Sequence, residues 1–210
     1  MKKLEFILDR FQADQICSPI RTKIDVISLW MNTIKMMLAY VPVPQELVGG
    51  TMALVVSKMS RIFFVLEDKV FSLNFPFFVN YDGGELTFST LSCQLVDNKV
   101  TSEILSLLHT NCVLTSVDVA SFADPIIDSC VIDSGIWELL RDLMICEEGY
   151  IRYDHDPELQ NGDIHPLHHL DVFYSTASTF KIGCRKRFSL PDFTDMLDIR
   201  TNCHYIVPVR

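Results

Sequence analysis

From Pro19 to Tyr40 the apolar residues Ile20, Ile24, Ile27, Trp30, Met31, Ile34, Met37 and Leu38 recur at steps of three and four. That is the period of one face of a long α-helix. Ser18 followed by Pro19 supplies the expected N-cap and a proline at the first helical position. Leu4, Ile7, Leu8 and Phe11 predict a shorter helix before it, and the prolines of VPVPQ at 41–45 end the longer one.

Between residues 51 and 96 the pattern changes. MALVV, RIFFVL, KVFSLNF, FFVNY and ELTFSTL are rich in β-branched and aromatic residues, and Asp82-Gly83-Gly84 has the chemistry of a hairpin turn. An antiparallel sheet is expected here, although MALVVSKM also suits a helix, because a short apolar run does not fix the period. Thr101–His109 reads as a helix capped by Thr101, and Asp133–Met144 as another opened by Asp133 or Ser134, with Gly149 as a stop. YIRYD, HHLDVFYS and TFKIGCRKRF then alternate like strands, and Pro191-Asp192 opens a last helix to about Ile199. With no repeat and no dividing linker, the expectation is a single α+β domain over 1–210. It has N-terminal helices, a central mainly antiparallel sheet, and a C-terminal hairpin with a closing helix.

Composition agrees with a globular chain. Apolar residues make up 49% and charged ones 21%, which excludes a disordered or collagenous protein. The seven cysteines, at 17, 93, 112, 130, 146, 184 and 203, are odd in number and form no C-x-x-C, so they read as reduced, buried thiols. MKKLEFILDRFQADQ is broken by Glu5, Asp9 and Arg10 and lacks the apolar stretch of a signal peptide, and no uncharged run is long enough to cross a bilayer. A cytoplasmic protein without membrane contact is expected. The net charge of −9 argues against a general nucleic-acid surface. The exception is the cluster Lys181, Arg185, Lys186 and Arg187, read as a solvated strand edge or a local phosphate contact.

The chemistry concentrates in RYDHDPELQNGDIHPLHHLD, residues 152–171, which holds four of the six histidines. If its two ends pair as antiparallel strands around a polar loop from Pro157 to Leu167, alternation sets Arg152 and Asp154 on one face. His169 and Asp171 can share that face. Three readings stay open. Asp154 and His169 act as an acid/base pair, with Arg152 stabilising negative charge on a phosphodiester. Or His165, His168 or His169 joins Asp154 or Asp156 around a divalent metal, although no standard metal motif is present. Or the residues are satisfied polar groups of a hairpin. No phosphate loop, nucleophile elbow or dinucleotide fingerprint occurs, and Gly49-Gly50 and Gly83-Gly84 suit turns.

The residues Arg152-Tyr153-Asp154, then His165-Pro166-x-x-His169-Leu170, then Cys184-Arg185 and Phe193, resemble an uncharacterised bacterial family with an R-[FY]-D … H-P-x-x-H-L pattern. The resemblance covers about 149–200 and implies a setting in phage-defence or toxin–antitoxin loci. Where that family often carries a second histidine, this chain has Asp171, which turns the reading away from a His-x-His metal pair. Within that setting, the acidic charge, the absence of any nucleotide motif and the large apolar and aromatic content lead to the expectation of an accessory, non-catalytic subunit of an anti-phage complex that binds other protein subunits, such as an ATPase or a nuclease. Nucleic acid would then be touched only through a partner or the Lys181–Arg187 cluster, and no cofactor or metal is expected. The alternative is a nuclease-like toxin or effector built on Arg152, Asp154, His165 and His169.

Overall fold

The computed structural model describes residues 2–67, 69–109, 134–175 and 178–204. Its elements, in chain order, are β1 (Lys2–Asp9), α1 (Arg10–Cys17), α2 (Lys23–Leu38), β2 (Val48–Val56), β3 (Ser60–Leu66), β4 (Lys69–Asn74), β5 (Phe78–Asp82) and β6 (Glu85–Ser89). There follow α3 (Asn98–His109), α4 (Ser134–Ile145), β7 (Ile151–His155), β8 (His168–Ser175), β9 (Ser178–Gly183) and α5 (Leu190–Leu197). This is a mixed α+β architecture with a mainly antiparallel sheet and a C-terminal hairpin and helix. It divides into two compact units, one of Met1–Cys17, Val43–Asn74 and Gly149–Arg210, the other of Ser18–Pro42 and Phe75–Glu148.

The first unit is built on a seven-stranded antiparallel sheet in the order β1-β2-β3-β4-β7-β8-β9. Register assigns every side chain to one of two faces. On one, Ala53, Val55, Phe63, Tyr153 and Leu170 are buried with Phe193 of α5, whose ring meets Phe63 edge-on at 5.9 Å. On the other, Met52, Leu54, Ile62, Phe64, Phe71 and Leu73 are buried at the β2–β4 end, with Phe64 stacked on Phe71. Strands β2 to β4 are thus covered on both faces, which is why MALVV and RIFFVL run apolar without alternating. Along β7 to β9 this second face turns polar, and the functional residues of the sequence lie there.

Buried Arg61 crosses from β3 to the start of β7, donating to Ser72 Oγ, Asn74 Oδ1 and the Gly149 carbonyl. Burial, which disfavours its charged form, holds its guanidinium down to about 10. Gly149 stands at φ +53°, where a Cβ would meet the Asn74 side chain at 2.8 Å. Only glycine fits that corner.

In the second unit, Trp30, fully buried on α2, meets Phe77 edge-on, and Phe75 packs on both Phe77 and Phe88. Strands β5 and β6 form a separate two-stranded sheet, joined at Gly83-Gly84 with both residues at positive φ, as a type I′ hairpin requires.

Several boundaries differ from the sequence expectation. Leu4, Ile7 and Leu8 lie in a strand and not in a helix, because Lys2–Leu8 pairs residue by residue with β2, and helix α1 begins only at Arg10. The long helix starts at Lys23, capped by Thr22 in a reciprocal box with Asp25, so Ser18-Pro19 is outside it. Asp97, not Thr101, caps α3 by accepting from the Lys99 and Val100 N–H groups, and Thr101 is buried inside the helix. Ser189, with Asp192, caps α5, which ends at Leu197. Gly49 and Gly50 belong to β2, where a Cβ on Gly49 would strike the Arg10 backbone at 2.7 Å, so close approach and not a turn requires them. Cys17 and Cys203 are exposed and Cys93, Cys146 and Cys184 only partly buried, so none of these is a fully buried thiol, and Cys112, Cys130 and Asp133 lie outside the described residues. Among the described residues no helix is long and apolar enough to cross a membrane.

Replacing Phe193 by Ala removes the ring that α5 places against Phe63. We expect a loss of about 3–5 kcal/mol in denaturant unfolding, the usual cost of deleting a buried Phe. A loss below about 1 kcal/mol would show that α5 is not part of the core.

Candidate functional site

The antiparallel pairing of β7 with β8 sets Arg152 opposite Asp171 and Asp154 opposite His169. The four converge on the polar face of the sheet, as alternation requires. Pairing with the flanking strands adds Lys69 opposite Asp154 and Lys181 opposite Asp171. Three cations and two carboxylates therefore alternate across β4, β7, β8 and β9, with Phe173 beneath the Arg152 guanidinium at 5.8 Å.

Arg152 is the centre of the group. Its Nε donates to both oxygens of Asp154 at 2.7 and 2.8 Å, and its Nη2 reaches Asp154 Oδ2 at 2.6 Å and Asp171 Oδ2 at 2.7 Å. Burial works against its charge, but the hydrogen bond and charge of Asp154, with Tyr150 and Asp171, outweigh that and raise its affinity for the proton. Two carboxylates occupy its Nε and Nη2 edge, one of the edges by which a guanidinium grips a phosphate.

His169 is 1% exposed. Its Nδ1 donates to the Pro166 carbonyl at 2.9 Å, which turns Nε2 toward Asp154 Oδ2 at 3.7 Å and Asp171 Oδ1 at 3.9 Å. His165 is close, its ring edge-on to His169 at 4.7 Å, but it is bonded elsewhere. Its Nε2 donates to Asp156 Oδ2 at 3.1 Å and its Nδ1 accepts from Lys181 Nζ at 3.2 Å. Of the four residues singled out from the sequence, Arg152, Asp154 and His169 form one group, while His165 belongs to a neighbouring clamp. Asp171 and Lys181 complete the group. Asp171 was legible as the next residue on the His169 face, but the place of Lys181 depends on the β8–β9 register, which no motif announces.

The same bonds shape the connection from Asp156 to Leu167. Asp156 N–H donates to the Leu167 carbonyl, Asn161 and His165 form a β-bridge, and Leu159 N–H donates to Asp156 Oδ1. That last bond, with His165 adding, holds the Asp156 carboxyl below its ordinary range. His169 grips the loop at Pro166. Each histidine on this side of the sheet therefore ties the loop to a strand. Leu159 and Ile164 nevertheless point outward, 66% and 83% exposed.

On the opposite face His168 accepts from the Tyr153 hydroxyl at 2.8 Å and stacks on His155 at 5.0 Å. A small cavity of about 270 Å³ beside them is lined by residues including Lys69, Tyr153, His155 and Arg187. A larger one of about 600 Å³, around Arg10, Asp14, Cys17 and Glu67, includes none of the expected site residues.

Arg152→Met leaves one partly buried carboxylate, Asp154, and one buried carboxylate, Asp171, without their shared cation. We expect about 3 kcal/mol of destabilisation in denaturant unfolding, within the range for breaking a buried ion pair by removing one partner. Partial burial, with His155 and Arg187 nearby, lowers the His168 pKa, so folding favours the neutral ring. Its contribution is complete above the unfolded value near 6.5 and is lost as pH falls through the lower folded value. Stability measured from pH 7 to 5 should therefore decline, and His168→Gln should flatten that limb. An unchanged slope in the variant would refute the assignment.

No family model, no curated protein and no solved structure matches the chain, so the geometry of its own residues carries the functional reading.

Proposed function

We propose that this chain works by binding a partner protein and not by turning over a substrate, with the loop from Asp156 to Leu167 as one contact surface. The observation that carries this is the direction of the polar network. His165, His169, Asp156 and Lys181 hold the loop in a single shape while Leu159 and Ile164 face solvent. Ordering a loop before it meets its partner removes part of the entropy cost of association. Apolar side chains presented on a pinned loop suit the centre of an interface better than a solvated rim.

The burial of His169 and the engagement of Arg152 by two carboxylates favour this reading over a nuclease-like effector, whose base and anion-binding group must both meet substrate. The role of accessory subunit in an anti-phage complex, beside an ATPase or nuclease, extends the proposal through the resemblance of residues 149–200. The exposed cations Arg185, Lys186 and Arg187 offer a local contact for nucleic acid brought by such a partner.

Co-expression of the tagged chain with its adjacent genes tests the reading. A neighbouring gene product should co-elute in fixed ratio, and Ile164→Asp with Leu159→Asp should weaken that association by at least tenfold while the unfolding midpoint stays unchanged. A chain that elutes alone overturns the proposal. So does nuclease turnover that disappears in a folded Arg152→Lys variant.

A further inference from the structure

We propose that Asp154, His169 and Asp171 form a binding site for a divalent cation of zinc-like chemistry. One oxygen from each carboxylate and one imidazole nitrogen lie within 4.8 Å of one another on the same face of β7 and β8. His169 Nε2 is 3.7 Å from Asp154 Oδ2 and 3.9 Å from Asp171 Oδ1. A tetrahedral zinc ion with bonds of about 2.0–2.2 Å sets its ligand atoms roughly 3.3–3.6 Å apart, so these two separations need to close by only a few tenths of an ångström.

Two independent features aim the group at a cation. The first is the orientation of His169. With Nδ1 bonded to the Pro166 carbonyl, Nε2 is the ring nitrogen that faces the two carboxylates. A backbone carbonyl behind a ligating imidazole is the usual arrangement in metal sites, because it fixes the tautomer and raises the basicity of the free nitrogen. The second is Asp171 Oδ1, an acceptor in a residue only 7% exposed, to which no described residue donates a hydrogen bond. A buried carboxylate oxygen left in this state is costly, and a metal bond removes that cost.

Arg152 fits as the outer support of such a centre. It holds Asp171 by the other oxygen, Oδ2, and fixes the plane of Asp154. Together Arg152, Asp154 and Asp171 carry a net charge of −1, enough to attract a cation but not to make a strong oxygen cage. One nitrogen and two carboxylates suit zinc, cobalt or manganese, whereas calcium takes six to eight oxygens. Lys181 is the competitor, with its Nζ 3.8 Å from Asp171 Oδ1 on a side chain 43% exposed and able to swing into solvent. The site is separate from the exposed face of the loop, and its occupancy bears on partner binding only through the two tethers it shares with the loop, His169 to the Pro166 carbonyl and Lys181 to His165.

The test is equilibrium dialysis of the chelator-treated full chain against Zn²⁺ alone, with Co²⁺ as a spectroscopic probe. We expect stoichiometric zinc and a cobalt adduct with visible d–d bands but no near-ultraviolet thiolate band, which separates this site from the free cysteines. Asp171→Asn, checked for folding by near-ultraviolet circular dichroism, should bind at least about tenfold more weakly, because a ligand is lost. Lys181→Met, at an exposed position, should bind several-fold more tightly. Absence of stoichiometric uptake, a thiolate band, or unchanged affinity in a folded Asp171→Asn overturns the proposal. If Asp171→Asn does not fold, unchanged or weaker binding by Lys181→Met overturns it.

Discussion

The attachment of Arg152 to Asp154 along β7 and to Asp171 across to β8 is the interaction on which the polar half of the sheet depends. It is made possible by register. A slip of one residue between the strands would turn Arg152 and Asp154 toward Phe193 and bring Tyr153 and Ile151 into their place. The apolar face therefore enforces the polar one. Leu170 and Tyr153 fix the pairing by packing with α5, and the charges on the reverse side meet as a consequence. The charged pairs add their own selectivity, since any other pairing leaves two carboxylates without a cation.

From this arrangement follows the order of the connection between β7 and β8. A twelve-residue polar loop would ordinarily be the least constrained part of such a sheet. Here His169 and His165, placed by β8 and by the loop itself, convert it into a shaped surface through bonds to Pro166, Asp156 and Lys181. Two of the four histidines in this stretch serve as tethers of the loop, and the other two, His155 and His168, stack on the opposite face. Their number is not by itself a mark of catalysis.

How much of this was legible in the chain differs from part to part. Alternation in YIRYD and HHLDVFY pairs Arg152 with Asp154 and His169 with Asp171, because a strand buried on one face writes its orientation into the sequence, but it leaves two facings open, and the β7–β8 register brings all four together. The beginning of the chain was less clear, since Leu4, Ile7 and Leu8 satisfy a helical spacing while Leu4, Phe6 and Leu8 satisfy a strand, and only pairing with β2 decides between them. MALVV had no readable period because both of its faces are buried. Ser18 and Thr101 have the residue type of an N-cap, but Thr22 and Asp97 hold the positions, and Thr22-x-x-Asp25 is the reciprocal pattern that marks a helix start. Lys181 and the division into two units depend on contacts between residues far apart in the chain, which local spacing does not encode.

The pairing of β4 with β7 has a kinetic side. Ser72 and Ile151 are direct partners, yet the whole segment Phe75–Glu148 lies between the two strands and belongs to the other unit. On a ribosome or in refolding, β1 to β4 can form their meander early, but the far edge of β4 has to wait for a distant stretch of chain. Closing so long a loop is costly in entropy and slow compared with a hairpin. In that interval the exposed edge would present Val70, Phe71 and Leu73 to any other strand. Lys69, at the head of β4, is a charge of the kind that discourages such edges from joining the wrong partner, so the residue that later faces Asp154 also guards the half-formed sheet.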